Sequence, residues 1–449
     1  MERKIKLFNS LGGKLEEFAP LEEGKVSIYV CGPTVYNDPH IGNMRPVIVF
    51  DTWRRLFLAL GYEVTFVSNY TDVDDKIINR AAELGIKESE LTEEVIGKFA
   101  GLVKAVGALP PTHTPRPTVY MGQMISYIQD LVENGSAYVK EGDVYFRVES
   151  DPHYGELSGN TIEALNSGAR IEVNSQKESP LDFALWKKTD KGIQWDTPWC
   201  KGRPGWHTEC CVMIHSLFPK TNGYIDIHGG GFDLKFPHHE NEIAQAYAHD
   251  GHRLARYWLH NGFINIDEQK MSKSLGNVVL AKDVVATYGG MAFRLMVLNT
   301  QYRAPLSFTE ETIGEAVKSY QKLCIAFKQL SVKLQLEDVD LESLSAEAED
   351  EFFHAMCDDL NTPNALSVVY AEIKNANSLL RARPFDIEAA KASYAKLRDY
   401  FFVLGIEVPV PSLSQEDKDL YRQYLQAKEA KNFEKSDTMR AKLIEKGIL

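Results

Sequence analysis

The sequence lacks any apolar run long enough to cross a bilayer as a helix. Its first residues, Met1-Glu2-Arg3-Lys4-Ile5, also lack the apolar stretch of a secretory leader. Both absences point to the cytoplasm. Cysteine is sparse: Cys31, Cys200, Cys210, Cys211, Cys324 and Cys357 are the only six in 449 residues. That density excludes the disulfide framework of a small secreted domain and leaves burial or metal ligation for each. Positive charge is in deficit, with 50 Lys and Arg against 63 Asp and Glu and a net charge of -13. Phosphate binding draws on Lys and Arg, so the balance argues mildly against a nucleic-acid partner. A local basic track on an acidic body escapes that argument, and part of the acidity is confined to the stretch from Glu337 to Glu351. Internal repeats and low-complexity tracts are missing too. What is present, 44% hydrophobic and 25% charged residues, supports a sizeable core. The length suggests about two to four domains.

Periodicity organises the chain. Lys25 to Val30 is a short β-rich run, and a turn-rich loop follows from Cys31 to Pro39. Val49, Phe50, Trp53, Phe57 and Leu60 then recur at helical spacing, with Gly61 as a C-terminal stop. Tyr62 to Val67 is again strand-like. This βαβ pattern predicts parallel strands, with ligands beyond their carboxyl ends, where the Cys31–Asn43 loop sits. From Thr118 to Lys188 the pattern is mixed, with a hairpin from Tyr138 to Val148 around Glu141-Gly142-Asp143. Strand character returns from Tyr224 to His228, and the chain reads as helical from Phe308 onward. Ile406 to Pro411 reads as a linker, and Gln415 to Leu449 as two charged helices.

Two short motifs stand far apart: His40-Ile41-Gly42-Asn43 before a helix, and Lys270-Met271-Ser272-Lys273-Ser274. Together, on an α/β pattern, they resemble the HIGH and KMSKS signatures of class I aminoacyl-tRNA synthetases. The resemblance implies ATP-dependent amino-acid activation, in which the protein positions groups and stabilises negative charge. His40 and Asn43 then donate to phosphate oxygens at a helix N-terminus. Gly42 admits the nucleotide close to the backbone. Lys270 and Lys273 neutralise the developing pyrophosphate, with Mg2+ on the nucleotide. The family often has His at position 43; Asn keeps the donor and loses the titratable group.

A second constellation comprises Cys31, Gly205-Trp206-His207-Thr208-Glu209-Cys210 and Phe236-Pro237-His238-His239-Glu240-Asn241-Glu242. Pro237 suits a first helical turn, which puts His238 and Glu242 on one face at i and i+4. Matched residue by residue, Cys31, Cys210, His238 and Glu242 resemble the zinc site of the cysteinyl-tRNA synthetase family. Cys211 and His239 remain local competitors. One Zn2+ that binds the substrate thiolate would reject serine where an apolar pocket cannot. The resemblance also implies that Thr71 and Asp233 meet the amino group, and that Trp206 walls the side-chain pocket. It implies adenosine contacts from a glycine-rich turn, His228-Gly229-Gly230-Gly231, chiefly His228 and Gly230.

The resemblance runs from Lys6 to about Gly447. It implies a Rossmann-like parallel-sheet catalytic domain in two halves, 1–117 and 189–307, with a connective insertion at 118–188. An α-helical bundle, 308–405, and a C-terminal anticodon-region segment, 412–449, complete the expected α/β architecture. The expected partners are tRNA(Cys), L-cysteine and ATP, and the expected state is a monomer. Arg422, Lys428, Lys431, Lys435, Arg440, Lys442 and Lys446 offer phosphate-binding charge, or else only a solvated helix face. The family usually continues beyond this point into an acidic, tryptophan-containing tail, so the last segment reads as shortened. Two rivals stay open: a small-molecule cysteine ligase on the same core, and a zinc-stabilised RNA-binding protein without catalysis.

Overall fold

The computed structural model describes residues 4–160, 176–266, 269–270, 278–345 and 350–449. Its centre is a four-stranded parallel sheet. Strand β1 (Lys25–Val30), helix α1 (Ile41–Ala59) and strand β2 (Glu63–Ser68) form the expected βαβ unit, with β1 and β2 adjacent and in parallel register. Helix α1 is apolar on most of its surface and buries Ile41, Met44, Ile48, Phe50, Trp53 and Phe57, so it lies inside the molecule. It stops where Gly61 takes a φ of 87°.

On its other side β1 pairs in parallel with β3 (Ile225–Gly231), which pairs with β4 (Ala255–Asn261). The sheet order is therefore β4-β3-β1-β2. The neighbours of β1 come from opposite halves of the chain, so a topological switch point opens beyond the carboxyl ends of β1 and β3. One expectation is corrected here. Gly229, Gly230 and Gly231 are not a turn after the strand but its last three residues, in register with Leu259, His260 and Asn261. Packing is the reason: a Cβ on Gly229 would stand 2.2 Å from the Phe50 ring. The glycines let α1 lie close on the sheet.

Between these halves, residues from Ala137 to Pro204 form a five-stranded antiparallel sheet that includes the expected hairpin, Ala137–Lys140 with Asp143–Phe146. Beside it run α2 (Met121–Glu133), α3 (Thr208–Leu217) and α4 (Glu240–Asp250). From Glu310 the chain is helical. A bundle of Glu310–Leu336, Glu351–Cys357, Thr362–Arg381 and Ile387–Leu404 leads, through the segment around Pro411, to α5 (Gln415–Glu429) and α6 (Phe433–Glu445). Gln335 secures that connection: its side chain donates to the Pro411 carbonyl (2.9 Å) and accepts from the Leu413 amide (2.8 Å).

Candidate active site and metal centre

Cys31 is the first residue past β1, and its amide donates to the Gly229 carbonyl at 3.1 Å. Gly32 follows in a close crossing. Its amide donates to Asn69 Oδ1 at 2.8 Å, and a Cβ there would lie 1.6 Å from the Asn69 carbonyl oxygen. The loop after β1 is thereby pressed onto the loop after β2, and the Val35 amide donates to the Thr71 carbonyl.

Cys210 comes from the first turn of α3, Glu242 from the first turn of α4, and His238 from the turn before it. Together with Cys31 they present ligand atoms within 4.8 Å of one another. Cys31 Sγ is 3.6 Å from Cys210 Sγ and 3.8 Å from Glu242 Oε1. His238 Nε2 is 3.7 Å from Cys210 Sγ and 2.8 Å from Glu242 Oε1. Metal bonds of 2.0–2.3 Å give a tetrahedral edge of about 3.3–3.8 Å, so most of these separations suit a four-coordinate thiophilic ion. Glu242 Oε2, fully buried, lacks a hydrogen-bond partner even though His228 Nε2 approaches to 2.7 Å. Two sulfurs, an imidazole and a carboxylate with an unused oxygen fit such an ion.

Electrostatics divide the protons unevenly among the donors, and metal binding would have to displace those on Cys31 and His238. The hydrogen bond from Cys31 pulls the Cys210 thiol down to about 6 against burial, while burial pushes Cys31 well up. Burial opposes ionisation of Glu242, but His228 and His238 outweigh it and hold the carboxyl well below its usual range. Burial also works against the His238 cation, which Glu242 and Cys210 nonetheless hold up to about 10. The competitor His239 reaches Cys31 Sγ through Nε2 at 3.4 Å, and with His228 and Glu242 it makes an alternative set that contains one thiol.

Cys31 also lies on the wall of a cavity of about 450 Å3, which His40, Gly42, Asn43, Trp206 and Asp233 share. The Trp206 ring stacks on His238, with centroids 4.3 Å apart and planes at 23°. His40 caps α1: its amide donates to Asn43 Oδ1 (3.1 Å), and the Asn43 amide donates back to the His40 carbonyl (3.0 Å). The motif loop is sewn to the segment beyond the lysine–serine motif, since Ile41 donates to the Val279 carbonyl and Ala281 to that of Pro39. Lys270 ends a two-residue strand paired with Asn265. The Lys270 side chain and all of Lys273 lie outside the described residues.

Three predicted contacts stand back from the cavity wall. Thr71 is buried, and its hydroxyl donates to Glu209 Oε2 at 3.2 Å. His228 is enclosed in β3, stacked on Trp258. Gly230 lies within the same strand, and Gly231 is the member of the triplet on the wall. Two residues escaped the sequence reading although they stood inside its motif. His207 Nδ1 sits 3.0 Å from His238 Nδ1, which leaves Nε2 for the donor cluster, and burial holds His207 down to about 3. Glu209 is fully buried, which pushes its carboxyl well up. Their adjacency to Cys210 was the available signal.

Comparison with known proteins identifies the family. Residues 17–318 match the family model "tRNA synthetases class I (C) catalytic domain", and residues 351–408 match the DALR domain. The chain is 43% identical to the cysteine–tRNA ligase of Acholeplasma laidlawii, over 99% of this chain and 100% of that one. It is 46% identical to that of Halalkalibacterium halodurans, over 99% and 97%. A methionyl-tRNA synthetase of Mycobacterium tuberculosis bound to methionyl-adenylate shares the fold at a TM-score of 0.62 and 16% identity, over 85% of this chain and 92% of that one.

Proposed function

The chain belongs to the class I tRNA synthetases, within the cysteine–tRNA ligase family, and on that premise we propose how its residues carry the reaction. It is a ligase that activates L-cysteine with ATP and transfers it to the 3' end of tRNA(Cys). In the first step a carboxylate oxygen of cysteine bonds to the α-phosphorus of ATP, and the bond to the bridging oxygen breaks to release pyrophosphate. In the second, a terminal ribose hydroxyl of the tRNA attacks the activated carbonyl and AMP leaves.

The observation that carries the assignment is that Cys31 belongs both to the four-donor cluster and to the cavity whose wall holds His40, Gly42 and Asn43. Cys31, Cys210, His238 and Glu242 would hold one Zn2+ per chain, which would supply a thiophilic Lewis acid that favours the cysteine thiolate over the serine hydroxyl. His207 orients His238, as a partner behind a metal-bound imidazole does. Trp206 walls the side chain and Asp233 meets the ammonium, while Thr71 acts through the buried hydrogen bond to Glu209. His40 and Asn43 bind phosphate oxygens at the N-terminus of α1, with Gly42 against the nucleotide. His228 and Gly230 shape the adenosine side from within β3. Lys270 and Lys273 take the pyrophosphate charge, and Mg2+ arrives on the nucleotide.

The catalytic halves are 1–117 and 189–307, the connective insertion is 118–188, and 308–405 and 412–449 serve the tRNA. We assign the chain as a monomer, and the substrates are those of translation, which supports the cytoplasm. No helix among the described residues is long and apolar enough to cross a membrane.

The test is ATP–pyrophosphate exchange without tRNA, with cysteine and with serine, on metal-replete and chelated protein. Exchange with cysteine alone, lost on chelation and restored by Zn2+, is expected. Exchange that survives chelation with undiminished discrimination against serine would remove the metal from the account.

A further inference from the structure

Away from the cavity, a second group of donors closes the far ends of the two helices that carry Cys210 and Glu242. His215 lies near the C-terminal end of α3, and His249 and Asp250 end α4. One ligand atom from each of the three lies within 4.8 Å of the others. His249 Nδ1 is 2.7 Å from Asp250 Oδ1, and His215 Nδ1 is 3.3 Å from the same oxygen. The Asp250 side chain is 3% exposed.

Three features set this group apart from a surface ion pair. First, the other ring nitrogen of His249, Nε2, faces Asp130 Oδ2 at 3.2 Å from helix α2. A carboxylate behind an imidazole is the arrangement that orients a metal-bound histidine. Second, the Tyr127 ring, also on α2, stacks on His249 with centroids 4.0 Å apart and planes at 23°, which fixes the imidazole plane. Third, His215 Nδ1 is a buried atom without a hydrogen-bond partner: it is near the Asp250 carboxylate but not aligned with it. A buried nitrogen so placed calls for an explanation, and a shared ion supplies one. The other polar contact to this carboxylate is a long one, from Asn222 Nδ2 to Oδ1 at 3.3 Å.

We propose that His215, His249 and Asp250 form a second divalent-metal site that clasps the C-terminal ends of α3 and α4. Two imidazoles and a carboxylate, without sulfur, suit Zn2+, Co2+ or Ni2+ and not the oxygen-seeking Mg2+ or Ca2+. Bound there, the ion fixes the relative pitch of the two helices whose opposite ends present Cys210 and Glu242. The clasp is structural, and the proposal stands apart from the chemistry of the cavity.

Cobalt separates the two sites, because only a thiolate-ligated Co2+ shows sulfur-to-metal charge transfer. The full-length protein, stripped with a chelator, is titrated with Co2+ and followed by absorption and equilibrium dialysis. Two bound equivalents are expected, one with the charge-transfer band and one without. His215→Gln and Asp250→Asn should each lose the bandless equivalent and keep the band, and Cys210→Ser should do the reverse. Asp130→Asn, at a half-exposed position, should weaken the bandless equivalent by about tenfold, the low end for a lost partner behind a ligand. A wild-type protein that binds no bandless equivalent overturns the clasp, as do His215→Gln and Asp250→Asn variants that still bind it. In that outcome the cluster is an ion pair of His249 with Asp130 and Asp250. Since the band is read separately, a failure of the cavity metal and a failure of the clasp remain distinct results.

Discussion

Cys31 and Gly32 are neighbours with opposite demands: one must project a sulfur into the site, the other must project nothing. A methyl group at Gly32 meets the Asn69 carbonyl oxygen at 1.6 Å, which is backbone and cannot rotate away. Gly32→Ala is therefore expected to cost about 1–3 kcal/mol, the range for inserting an atom into a packed contact. It should also raise KM for cysteine, since the forced shift begins one residue from Cys31. Urea unfolding and exchange kinetics on the same protein check both parts; an unaltered KM would detach Gly32 from the site. Cys210→Ser replaces a thiol, held down to about 6, with a hydroxyl that is a poor ligand for a soft ion. The expected result is loss of the metal and a fall in the cysteine-over-serine ratio of kcat/KM from about 10^4, the scale of a specific handle, towards about 10. Metal analysis with paired exchange assays measures it. At this scale the sequence carried the donor types but not their partners. His238 and His239 are indistinguishable by spacing, and only the fold shows His238 between Cys210 and Glu242 and His239 against His260.

Among the elements, α1 does more than cross between two strands. Its Asp51 accepts from Arg55 Nε (2.8 Å), from Arg294 (2.6 Å) and from the Leu109 amide (2.8 Å). Arg294 continues to the Leu404 carbonyl and Arg55 to that of Phe402, at the end of a bundle helix. This buried network bolts the helical bundle to the catalytic sheet. Asp51→Ala removes the one carboxylate between two buried guanidinium groups, and an uncompensated buried charge costs about 3–5 kcal/mol. A loss of unfolding free energy of that size in a denaturant titration is expected; a loss within about 1 kcal/mol, on the scale of an ordinary surface change, would show that water had replaced the carboxylate. The β1–α1–β2 unit was legible because its apolar residues follow one period at a time. Strand β3 was legible only to His228, because glycine has little strand propensity and its place there is set by α1 packing from above. The Asp51 network was not legible at all, since Asp51, Arg55 and Arg294 read as ordinary polar positions until the fold brings them together. Elements at the end of the chain are tied by charge. Lys446 and Ser414 hold the Asp417 carboxyl down to about 2 from its ordinary 3.8. A depressed carboxyl stabilises the folded state above its unfolded value, and that contribution is lost as pH falls through this window. Amide protection factors in α6, corrected for the intrinsic pH dependence of exchange, should therefore fall below about pH 4, ahead of those in α1; equal loss of protection in both helices would deny α5 and α6 a separate docking.

Taken as a whole, the molecule is an acid that must hold a polyanion, with a net charge of -13. The resolution lies in where its cations are spent. Arg422 is paired with Asp338 and Asp419, and Lys446 with Asp417, so each must give up an exposed ion pair before it neutralises a phosphate. Lys431, Lys435 and Arg440 are exposed on and beside α6 and form no ion pair with the described residues. If this end of the chain meets the tRNA backbone, each of these cations displaces a condensed counterion. The slope of log K against log salt should then become shallower by about 0.7–0.9 for each one removed. The variant Lys431→Gln, Lys435→Gln, Arg440→Gln is expected to bind tRNA(Cys) more weakly at low salt, with a shallower slope, and to aminoacylate it with a raised KM. ATP–pyrophosphate exchange without tRNA should stay at the wild-type rate, because these residues are absent from the cavity wall. Arg422→Gln, which removes a cation already paired in the fold, should change the slope less. The same slope for the triple variant and the wild type would mean that α6 is a solvated face and that the tRNA is held by the bundle and catalytic domain alone.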